Sequence, residues 1–77
     1  MLATVDSIQL ILECLEQVEA KKHMCILQLV YSNLVGKSRL VPGLTLDDAL
    51  LAYKILKIIE DSPDKEEIIF AMSLHFK

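Results

Sequence analysis

Apolar residues recur along the chain at the three- and four-residue spacings of helices, and two clusters of helix-breaking residues interrupt them. Between Asp6 and Ala20, Ile8, Ile11, Leu12, Leu15 and Val18 share one side of a helical wheel, while Asp6, Gln9, Glu13 and Glu16 share the other. That arrangement predicts a helix with one buried face. Carried forward, the same wheel brings Lys22 into the apolar stripe and moves Met24, Leu27, Tyr31 and Leu34 onto the formerly acidic side. The pattern therefore changes near residues 20–23, where neither Gly nor Pro marks a stop. One helix of about 30 residues, some 45 Å long, could gain a second apolar face there, or a second helix could start at another angle. Both readings stay open.

The two breaks have mechanisms of their own. Gly36 suits the left-handed position just after a helix, where lack of a Cβ removes the steric cost. Val41-Pro42-Gly43-Leu44 suits a turn with proline setting φ and glycine supplying φ > 0. Thr45 followed by Asp48 has the form of a capping box with Asp in place of Glu, predicting a helix from Leu46 to Glu60. Ser62-Pro63, followed by Asp64, Glu66 and Glu67, reads as an N-cap, a first helical proline and an acidic first turn facing the helix dipole.

The segment from Leu46 is apolar on two sides, with Leu46, Ala49, Tyr53 and Leu56 on one and Leu51, Ile55, Ile58 and Ile59 on the other. Such a helix is expected at the centre of a bundle with neighbours on both flanks. From Pro63 to Phe76 the packing stripe is Ile68, Ile69, Met72 and Phe76. Alternation of period two is nowhere sustained, which argues against strands. The prediction is an all-α fold: one helical domain over residues 1–77, a small three- or four-helix bundle, with a helical homodimer as its natural extension.

Composition supplies the reason for that extension. Of the 77 residues, 53% are hydrophobic, more than a domain this small can readily bury, since it hides only about 60% of its unfolded surface. The longest uncharged stretch, Met24 to Gly36, is too short and too polar to span a membrane. The first residues lack the basic region and apolar run of a signal peptide, so a soluble, cytoplasmic protein is expected. A formal net charge of -3 speaks against broad nucleic-acid binding.

Chemistry finds little to work with. Gly36-Lys37-Ser38 ends like a phosphate-binding loop, but Tyr31 stands where that loop needs its first glycine. Cys14, His23, Cys25 and His75 lack the short spacings that nucleate a zinc site. The cysteines read as small buried hydrophobes, and would lie about 16 Å apart on one continuous helix. No catalytic, cofactor or metal site is expected, and the protein is not expected to be an enzyme.

What remains is surplus apolar helix surface. The expected function is that of a small α-helical protein-interaction module, an adaptor, regulator, inhibitor or immunity-type binder acting by helix-face docking. Its expected partner is a protein, with a second copy of the chain the first candidate, and the expected contact face is Met24, Leu27, Tyr31 and Leu34. The alternative is a small nucleic-acid-binding regulator using Lys21-Lys22 and the basic loop at Lys37 and Arg39.

Overall fold

A computed structural model describes residues 5–37 and 41–76 of the chain. Its elements in order are α1 (Val5–Leu15), a single 3₁₀ turn (Ala20–Lys22), α2 (His23–Leu34), α3 (Leu46–Glu60) and α4 (Lys65–Ser73). Among the described residues there is no strand, and the all-α bundle expected from the spacing is the fold found.

The question left open around residues 20–23 is answered by two helices with a corner between them. The helix predicted to run to Ala20 stops at Leu15. The amides of Gln17 and Val18 turn back to the carbonyls of Cys14 and Leu15, at 3.1 and 3.2 Å, and Glu19 is extended at ψ 144°. Two side chains hold this corner, one locally and one across the fold. His23 Nε2 lies 3.2 Å from the Val18 carbonyl, five residues back, which can only accept, so the ring donates from Nε2. Lys22 donates to Asp48 Oδ2 at 3.0 Å, across 26 residues of sequence. Neither contact carries the Gly or Pro signature by which a sequence marks a break.

The other boundaries follow local chemistry. After α2, Gly36 sits at φ +75°. The amide of Lys37 reaches back to the Ser32 carbonyl at 2.8 Å, and that of Gly36 to Asn33 at 3.2 Å, the paired bonds of a Schellman stop. Gly43 follows Pro42 at φ +88°. Leu44, which follows the turn, is partly buried against the core. Both halves of the capping box are present: the Asp48 amide donates to Thr45 Oγ1 at 3.2 Å, and the Thr45 amide to Asp48 Oδ2 at 3.0 Å. The cap at Ser62 is displaced. Its hydroxyl accepts the Asp64 amide at 3.2 Å, closing a turn over Pro63, and α4 begins only at Lys65.

The core is the contact of α2 with α3. Ile26 and Val30 meet Ile55 and Ile59, the four largest fully buried side chains, with Ile11, Cys14 and Leu15 of α1 closing one end. On α1 the buried face is rotated from the one expected. Ser7, Ile11 and Cys14 point inward, while Ile8 and Leu12 are about half exposed. The cause is polar: Ser7 Oγ donates to Ser62 Oγ at 3.1 Å, and both serines are buried, so that side of α1 must face the α4 turn. For α3 only half of the expectation holds. Leu51, Ile55 and Ile59 are buried among α1, α2 and α4, but Leu46, Leu50 and Tyr53 on the outer side are exposed, with no helix among the described residues packed over them.

Removing the cap by Thr45→Ala should cost about 1 kcal/mol, read as a lower midpoint in urea unfolding. A pH series tests the Asp48 tie. Hydrogen bonds from the Thr45 amide and Lys22 hold the Asp48 carboxyl below its ordinary 3.8, and the bond to Asp48 raises the Lys22 ammonium above its ordinary 10.5. The stability they contribute is present between those two values. It is lost as pH falls through the depressed Asp48 value or rises through the raised Lys22 value. Wild type should therefore exceed Asp48→Asn in unfolding midpoint at neutral pH, and the gap should close below pH 3.8; a gap independent of pH would contradict the assignment.

A candidate apolar groove lined by four helices

α1 packs on α3, and α4 packs on α2 and α3. Between α1 and α4 the chain leaves an open groove of about 590 Å³, within the range of ligand and peptide sites. Ile8 and Ile11 of α1 form one wall, and Ile68, Ala71 and Met72 of α4 the other. Met24 and Leu27 of α2 and the buried Ile59 of α3 line the base and one end, with Phe76 closing the other side. Its polar residues are Asp64, Glu67 and His75, all from α4 and its flanks. The surface is thus apolar with an acidic edge along one helix.

The four residues expected at a partner face are placed differently from one another. Met24 is 55% exposed and Leu27 partly buried, and both line the groove. The Tyr31 ring stacks on Phe76, with centroids 5.8 Å apart and planes at 30°. Leu34 is partly buried against the core. The chain's own C-terminal segment therefore meets the stripe at Tyr31 and leaves Met24 open.

Of the expected packing stripe Ile68, Ile69, Met72 and Phe76, Ile68 and Met72 pack against the core and Phe76 is buried, whereas Ile69 is only half-buried and not packed on the core cluster. Sequence reasoning missed that Ile8, with Asp64 and Glu67, borders the same depression. The signal available was the polar pair Ser7 and Ser62, whose contact turns Ile8 away from the core.

The groups considered for chemistry are otherwise engaged or apart. Cys14 is buried, Cys25 partly so, and both are free thiols outside the groove lining. Among the described residues no set of three or more His, Cys, Asp or Glu is placed to hold a metal ion. Gly36 acts as the helix stop, while Ser38 and Arg39 lie outside the described residues. Lys21, Lys22 and Lys57 lie 3.6, 3.0 and 3.7 Å from Glu19, Asp48 and Glu60. Among the described residues no helix is long and apolar enough to cross a membrane. No protein-family model matches this chain, and no curated protein or solved structure shows significant similarity to it.

Phe76 and Met24 should respond oppositely to truncation. Phe76→Ala removes a buried ring and should cost about 3 kcal/mol, whereas Met24→Ala at low protein concentration should stay within about 0.5 kcal/mol of wild type. Urea midpoints measure both, and equal losses would mean that the groove is closed in solution.

Proposed function

We propose that the chain is a small α-helical protein-interaction module that binds by docking helix faces and performs no chemistry. The observation that carries this reading is the groove, an apolar depression of about 590 Å³ in a chain whose own helices leave it open. Its dimensions and lining suit the helix-in-groove mode, where a partner inserts apolar side chains at i, i+3 or i+4, and i+7.

Charge narrows the partner. Asp64 and Glu67 stand at the edge, so a complementary helix carries Lys or Arg beside its apolar row, which speeds encounter and fixes orientation more than it adds affinity. The nucleic-acid alternative has less to support it: Lys21 and Lys22 each lie beside a carboxylate, and of its basic loop Lys37 is exposed while Arg39 lies outside the described residues. A role as adaptor, regulator, inhibitor or immunity-type binder is consistent with such a surface. The proposed partners are proteins, including a second copy of this chain.

Selection from a displayed library of helical peptides tests the proposal. Enriched peptides should share an apolar helical row flanked by basic residues, and Met24→Glu or Ile68→Glu should reduce their binding at least about tenfold, equivalent to about 1.4 kcal/mol. Enrichment of peptides that bind both variants as well as wild type would refute groove docking.

A further inference from the structure

A second apolar surface lies on the outer side of α3, away from the groove lining. Leu46, Leu50 and Tyr53 stand there at i, i+4 and i+7, exposed by 76%, 59% and 60%. Single exposed apolar residues are ordinary, but a continuous row of large ones marks a contact face. The flanking charges indicate what covers it. Asp47 and Lys54 border the row on the same side, two turns and about 10 Å apart along the axis, and both are exposed. Among the described residues neither has an ion-pair partner.

This face is complementary to itself in one orientation. When two α3 helices pair antiparallel about a two-fold axis near Leu50, Asp47 of each copy comes level with Lys54 of the other. Leu50 then meets its own counterpart on the axis, and Tyr53 lies against Leu46 of the second copy. A parallel two-fold pairing would carry the two Asp47–Lys54 flanks to opposite sides of the seam, where neither charge meets its complement, so flanking charge favours the antiparallel form. The face also fits the commonest closed symmetry, in which one patch serves both subunits.

We propose that the chain self-associates as a two-fold dimer through antiparallel α3 helices, leaving the groove free for a different partner. The proposal rests on reading the chain as an interaction module, yet it uses another surface and fails independently of the groove. A helix of 15 residues offers only about 22 Å of contact, less than the roughly 800 Å² per partner of a standard interface. The dimer is accordingly weak and concentration-dependent.

Sedimentation velocity over two decades of concentration, reaching the high micromolar range, tests it. Wild type should pass from monomer to dimer. Leu50→Glu should remain a folded monomer throughout, with unchanged circular dichroism. Should that variant unfold, Leu46→Ser, at a position 76% exposed in the chain, takes its place. Asp47→Lys and Lys54→Asp should each raise the dimer dissociation constant about fivefold, and the double exchange should restore it. A wild type that stays monomeric at every concentration overturns the proposal, as does a dimer that survives both row variants. So does a double exchange no better than the single ones. Dissociation by Met24→Glu with Leu50→Glu still dimeric would assign self-association to the groove instead. Peptide binding by the folded Leu50→Glu monomer would show that groove docking stands whatever becomes of the dimer.

Discussion

One buried carboxylate ties together two parts of the chain that are far apart in sequence. Asp48 Oδ2 accepts from the Thr45 amide, which starts α3, and from Lys22, which stands at the corner before α2. Asp48 is only 4% exposed, and an unpaired charge at that depth would be strongly unfavourable. Lys22 supplies that pairing, joining the corner before α2 to the first turn of α3. Beside it Ile26, Val30, Ile55 and Ile59 form the seam between the two helices. The apolar contact supplies stabilisation, about 1.5 to 3 kcal/mol for each fully buried large side chain.

Among the described residues four helices enclose one seam, and the inner face of α3 is committed to it. Ser7 and Ser62 then spend part of the packing face of α1 on a hydrogen bond, turning Ile8 outward. Each choice satisfies a buried group and leaves apolar surface elsewhere. Phe70 on α4 and Leu74 just beyond its end, both 66% exposed, belong to the same surplus.

Two of these uncovered surfaces have distinct electrostatic character. The groove is bordered by carboxylates alone, apart from His75, and so favours a partner that differs from it in charge. The α3 row carries one acid and one base arranged to match a reversed copy of itself. The dimer proposed above would present two grooves per assembly. Linked sites of that kind gain effective concentration without any new contact.

The sequence by itself determined the all-helical fold and most of the boundaries, because those depend on groups within a few residues of one another. Thr45 with Asp48 set the start of α3, and Gly36 set the stop of α2 through its freedom at positive φ. On α3 the helical spacing marked two apolar faces without choosing between them, and the one with Leu51, Ile55 and Ile59 became the core. Of the candidate site, Met24 and Leu27 were legible as an apolar face, and Ile68, Met72 and Phe76 as a packing stripe; that they border one groove was not. Tertiary structure alone decided the end of α1 at Leu15, the rotation that exposes Ile8, and the stacking of Tyr31 on Phe76. Each depends on a partner far along the chain, 26 residues away for Lys22 and 55 for Ser7. A helical wheel shows which residues are apolar and on which side, but which side is buried depends on what the rest of the chain brings against it.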